Sequence, residues 1–129
     1  MYLVYSALLA VVLVLGLPYW LLRTIRHSKR HIGLAERLGK VPERLARHQS
    51  RPAIWVHAVS VGELIAVSDL ITELTRRFPG HRVVVSTTTA AGQTLARARF
   101  GRNSVFYFPL DFQFAIRPYL RTLRPQLIV

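Results

Sequence analysis

Two hydrophobic regimes divide this chain. Residues 3–22 form an almost unbroken apolar run, whereas from Ala53 onward short β-favouring runs alternate with amphipathic stretches. At a rise of ~1.5 Å per residue, the first run spans ~30 Å as a helix, one hydrocarbon core. It therefore predicts a membrane helix over 1–22. Arg23 to Gly39 reads as a partly helical basic segment stopped by Gly39, and Lys40 to Pro52 as a polar connector. A strand is expected over Ala53–Val59. Gly62–Phe78 then has helical spacing, with Leu64, Ile65, Val67, Ile71, Leu74 and Phe78 on one face, and stops at Pro79-Gly80. Strand Arg82–Ser86, turn Thr87–Gly92 and helix Gln93–Phe100 follow. Strand Ser104–Phe108 leads to a helix over Asp111–Leu123, for which Asp111 is a natural N-cap. Gln126–Val129 opens a fourth strand after Pro125.

Near-continuous apolar strands alternating with helices imply an α/β fold, a Rossmann-like parallel sheet covered on both faces. Three regions result: an anchor (1–22), a basic juxtamembrane segment and connector (23–52), and an incomplete α/β domain (53–129). Because the pattern stops inside a strand, the chain reads as the front part of a larger protein.

Charge sharpens this division. The net charge is +12 at pH 7, and residues 1–22 carry no charged side chain. Residues 23–51 hold nine Lys and Arg against Glu36 and Glu43. A basic flank after the apolar run, with none before it, places the following domain in the cytoplasm by the positive-inside rule. A signal peptide fits less well, since no basic n-region precedes the run. The belt suits anionic membrane lipids better than nucleic acid, because it adjoins an apolar span. The absence of cysteine removes disulfides and thiolate metal sites. The five histidines are scattered without metal-ligand spacing, so no metal site is expected.

Two strand-to-helix turns carry candidate chemistry. In the first, Ser60-Val61-Gly62-Glu63 puts a carboxylate in the first helical turn, at the sheet edge where open α/β proteins bind ligands. Glu63 there can act as a general base toward an alcohol, and Gly62 allows close approach. The same four residues also form a capping box, Ser60 as N-cap and Glu63 three residues on. Both readings remain open on pattern alone. In the second turn, the hydroxyls of Thr88 and Thr89 with the N–H groups near Gly92 could hold an anionic group, or Thr89 could simply cap the helix. His57, within the first strand, is expected to be structural.

These motifs, in order, resemble a known family. The apolar anchor precedes Gly33-Leu34-Ala35-Glu36-Arg37-Leu38-Gly39; then come Trp55-Val56-His57-Ala58-Val59-Ser60-Val61-Gly62-Glu63, Ser86-Thr87-Thr88-Thr89 with Gly92, and Phe108-Pro109-Leu110-Asp111. The pattern closely resembles the N-terminal half of 3-deoxy-D-manno-octulosonic acid (Kdo) transferases. That resemblance implies a membrane-anchored, inverting glycosyltransferase of the two-domain GT-B type. It would transfer Kdo from the donor CMP-Kdo to a lipid A precursor (lipid IVA) in lipopolysaccharide core biosynthesis. The setting would be the cytoplasmic face of a bacterial inner membrane, with no other cofactor. It implies that Glu63 is the general base, with Ser60, Gly62, Thr88, Thr89 and Gly92 around the substrate. CMP-Kdo would bind through a C-terminal domain outside this chain, so the 129-residue polypeptide is expected to be inactive alone. The alternatives are a GT-B transferase acting on another lipid-linked sugar and a non-catalytic α/β module that binds anionic lipid.

Overall fold

The computed structural model describes residues 31–47 and 50–129. The expected membrane helix over 1–22 lies outside them. Among the described residues, no helix is long and apolar enough to cross a membrane. The elements in chain order are α1 (His31–Arg37), α2 (Glu43–Ala46), β1 (Ala53–Ala58), α3 (Val61–Arg77), β2 (Arg82–Thr87), α4 (Ala90–Phe100), a 3-10 turn (Arg102–Ser104), β3 (Val105–Tyr107), α5 (Gln113–Leu123) and β4 (Pro125–Ile128).

Four parallel strands form one sheet in the order β3-β2-β1-β4. The expected Rossmann-like parallel sheet is therefore present. Strand alternation sends Ile54, Val56 and Ala58 of β1 to one face, where they meet Leu64 and Ile71 of α3 and Ala96 of α4. Ala53 and Trp55 go to the other, against Leu45 of α2 and Tyr119 and Leu123 of α5. On that second face the rings of Phe106 and Tyr119 stack at 5.0 Å, with Trp55 5.4 Å from Phe106. Each such fully buried side chain contributes about 1.5–3 kcal/mol of transfer free energy.

Several boundaries differ from expectation for identifiable reasons. Helix α4 begins at Ala90, three residues early, because the Thr89 hydroxyl already caps it by accepting the Gly92 N–H at 3.0 Å. Helix α5 begins at Gln113, and Phe112 rather than Asp111 occupies the N-cap, with no side-chain cap bond. The Phe112 N–H closes a tight turn onto the Leu110 carbonyl, which leaves Asp111 exposed ahead of the helix. The buried face of α3 is narrower than its apolar spacing suggests, since Ile65 and Phe78 are exposed.

The larger difference concerns the basic segment and connector expected over 23–52. From Gly33 on, this chain belongs to the same compact unit that extends to Val129. Leu45 of α2, within the supposed connector, is fully buried in the α5-side core. Glu36 is buried too, with Oε1 2.6 Å from Nη2 of Arg44 and Oε2 accepting the Tyr107 N–H at 2.7 Å. The Tyr119 hydroxyl donates to the Glu36 carbonyl at 2.9 Å, and burial pushes that phenol's pKa well up. The segment is thus a brace over the β3 side of the sheet.

Candidate active site

The strand order fixes where a ligand cleft can form. From β1 the chain steps outward through α3, β2, α4 and β3 on one side; α5 then returns it to the other side of β1, where β4 pairs. The boundary between β1 and β4 is a topological switch point, and open α/β sheets bind ligands beyond the carboxyl ends of strands at such points. The β1–α3 turn, Val59-Ser60, lies at that edge.

Ser60 is the N-cap of α3, with extended backbone and its hydroxyl accepting from the Glu63 N–H at 3.4 Å. Glu63 reaches back: its Oε2 accepts the Val59 N–H at 2.9 Å, and its Oε1 lies 3.4 Å from the Ser60 hydroxyl. The capping box expected from sequence is therefore formed, with the return bond one residue earlier than usual. It does not exhaust the carboxylate. Two oxygens offer about four acceptor positions, so lone pairs remain on an exposed group. The cap instead fixes the orientation of the carboxylate at the sheet edge.

Gly62 has no structural reason to be glycine. A Cβ there would meet nothing nearer than the Ser60 hydroxyl at 3.9 Å, and its φ is not positive. Space in front of the turn is what its missing side chain provides.

The β2–α4 turn leaves the sheet at the same edge, since Ala58 and Thr87 are register partners. Here Gly92 is required by packing: a Cβ would sit 2.9 Å from the Thr89 Oγ1 and 3.3 Å from the Thr87 Cβ. Thr89 is exposed but engaged as a cap, and the Thr88 carbonyl accepts a hydrogen bond from the Arg37 guanidinium. That guanidinium also lies over the Tyr107 ring, 4.8 Å from its centre. The structure thus gathers Ser60, Gly62 and Glu63 in one turn and Thr88, Thr89 and Gly92 in the neighbouring one.

His57 has a more specific setting than sequence reasoning assigned. It points to the α5 side, half-buried, with its ring 4.1 Å from that of Phe108. Its Nδ1 lies 3.2 Å from the Ser86 carbonyl and 3.0 Å from the Ser86 hydroxyl, which itself accepts the Trp55 indole N–H at 2.7 Å. When Nδ1 carries a proton it donates to the Ser86 carbonyl, and the Ser86 hydroxyl can pair with either tautomer. Burial holds the imidazole below its usual pKa, opposed by the Ser86 carbonyl and the Glu63 charge. The signal available in sequence was the position of His57 three residues before Ser60 on the strand leading into the turn.

The model for the 3-deoxy-D-manno-octulosonic-acid transferase (kdotransferase) family matches residues 33–129. This chain belongs to that family. It is 32% identical over 127 residues to a 3-deoxy-D-manno-octulosonic acid transferase of Haemophilus influenzae, covering 97% of this chain and 29% of the relative. A Chlamydia pneumoniae protein of the same name is 30% identical over 127 residues, with the same coverage, 97% and 29%. A third of that name, from Rickettsia felis, is 33% identical over 79 residues, or 60% of this chain and 17% of the relative. The chain thus spans 29% of the length of the first two relatives. No solved structure matches. Family membership extends through α1 and α2, consistent with their packing as part of the α/β unit.

Proposed function

We propose that this chain is the acceptor-side portion of a glycosyltransferase that moves Kdo from CMP-Kdo to a lipid A precursor at the cytoplasmic face of a bacterial inner membrane. One observation carries this reading beyond family membership. Glu63 is an exposed carboxylate, oriented by the Val59 N–H, at the β1–β4 switch point. Glu63 takes the proton of the acceptor sugar's hydroxyl as that oxygen bonds to the anomeric carbon of Kdo. The bond from that carbon to the phosphate oxygen of CMP breaks, and CMP leaves with the electron pair. The donor is held by the part of the protein outside this chain. Thr88, Thr89 and the N-terminus of α4 would contact the acceptor's anionic groups.

Replacing Glu63 with Gln in the full-length enzyme tests the role. Gln preserves the hydrogen bond from Val59 and removes the basic oxygen, so transfer should fall with acceptor binding intact. Unchanged transfer would reject Glu63 as the base.

A further inference from the structure

Outside the candidate site, the described residues carry an exposed apolar surface. Phe112 and Phe114 are 56% and 62% exposed, and their rings stack on one another at 5.5 Å with an interplanar angle of 9°. Leu110 precedes them, also exposed. Leu34 on α1 and Leu38 just after it are both exposed, and the Leu38 N–H donates to the Leu34 carbonyl at 3.0 Å, which keeps them on one side of this turn. The two segments are joined: the Leu110 N–H donates to the Arg37 carbonyl at 2.8 Å, and Gly39 sits directly on the backbone of Phe114 and Ala115. Single exposed hydrophobic residues are ordinary, but a contiguous group containing a stacked phenyl pair marks an interaction surface.

Charge identifies the occupant. Phe114, Arg117 and Arg121 follow i, i+3, i+7 along α5 and are all exposed, and exposed Lys40 lies three residues after α1. Asp111 is the acid within the loop. In sequence, α1 is preceded by Arg23, Arg26, Lys29 and Arg30. Phenyl and leucyl groups bordered by long cationic side chains suit the boundary between acyl chains and anionic headgroups, where Lys and Arg reach outward to phosphate.

We propose that α1 and the β3–α5 loop form a membrane-docking surface, with Phe112 and Phe114 inserted at the headgroup–acyl boundary of an anionic bilayer. This contact belongs to the α/β unit itself and does not depend on which reaction the enzyme performs. It would hold the C-terminal edge of the sheet, from which the loop emerges, close to the lipid surface.

The chain has no cysteine, so single cysteines can be introduced and nitroxide-labelled cleanly. The full chain carrying F112C, F114C or, on α4 across the sheet, T94C is reconstituted into vesicles of phosphatidylglycerol and phosphatidylcholine. Power-saturation EPR then compares collisions with oxygen and with a water-soluble nickel chelate. Labels at 112 and 114 should be more accessible to oxygen than to nickel, and the label at 94 the reverse. Neutralising Lys40, Arg117 and Arg121 together to Gln should shift the 112 and 114 labels toward water. Nickel accessibility at 112 and 114 equal to that at 94 overturns the proposal. So does shielding from both reagents with dipolar broadening between labels, which would mean a second copy covers the surface. Equal depth in phosphatidylcholine alone and in the mixed vesicles overturns the anionic requirement.

Discussion

Glu36 and Arg44 make a nearly buried ion pair, 2.6 Å between Oε1 and Nη2, in a stretch whose sequence reads as a basic juxtamembrane segment and connector. The pair is completed from both sides. The second oxygen of Glu36 accepts the Tyr107 N–H, and Arg44 donates onward to the carbonyls of Val105 at 3.1 Å and Arg102 at 3.0 Å. α1, α2 and the start of β3 are thereby locked together, and α1 in turn supports the Thr88 carbonyl through Arg37.

Removing one partner of this pair should be costly. Glu36→Ala strands the Arg44 charge and the Tyr107 N–H, and is expected to destabilise the fold by about 3–5 kcal/mol. Glu36→Gln keeps an acceptor for Tyr107 and should lose less. Urea unfolding of the full chain followed by the fluorescence of buried Trp55 measures both. A loss at Glu36→Ala no larger than at a surface site would contradict the bracing role.

The glycines give an opposed pair of outcomes. At Gly39, φ is +95° and a Cβ would lie 2.9 Å from the Ala115 Cα, so Gly39→Ala should destabilise by more than about 1 kcal/mol. At Gly62 a Cβ meets open space in the first turn of α3, so Gly62→Ala should stabilise by about 0.5–1 kcal/mol. The same change should weaken acceptor use in the full-length enzyme. Thermal melts and the KM for acceptor separate the effects on folding and binding.

Capping and catalysis separate at the β1–α3 turn. Ser60→Ala removes the cap and is expected to cost about 1 kcal/mol. Glu63→Gln should leave the melting temperature nearly unchanged while lowering kcat of the full-length enzyme by at least about 10²-fold. Parallel losses of stability and rate across both variants would point to the cap alone.

The His57 imidazole predicts a pH dependence of stability. Its folded pKa is lowered by burial from a reference of 6.5. Below 6.5 the unfolded chain binds the proton more readily, so stability is complete above that pH and declines as pH falls toward the folded pKa. His57→Gln should flatten this part of the profile in urea titrations between pH 7 and 5, a window bracketing the reference value. An unchanged slope would show that the imidazole is not the group responsible.

The sequence by itself determined the strands, their parallel pairing and the two turns with candidate chemistry. The reason is that a buried parallel strand must be apolar along its length, and a helix start announces itself by its cap. Ser60 with Glu63, and Thr89 before Gly92, were legible because capping is local, within three residues. What only the tertiary structure decided depends on partners far apart in sequence. Glu36 meets the Tyr107 N–H across 71 positions, which makes a carboxylate of the basic segment a buried brace. Ser86 of β2 holds the His57 ring across 29 positions. The start of α5 moved to Gln113 because the 110–112 turn is pinned to α1, a contact that local propensity at Asp111 cannot register. Local pattern therefore places each turn, while long-range hydrogen bonds and packing settle which charges are buried and which side chains remain free to act.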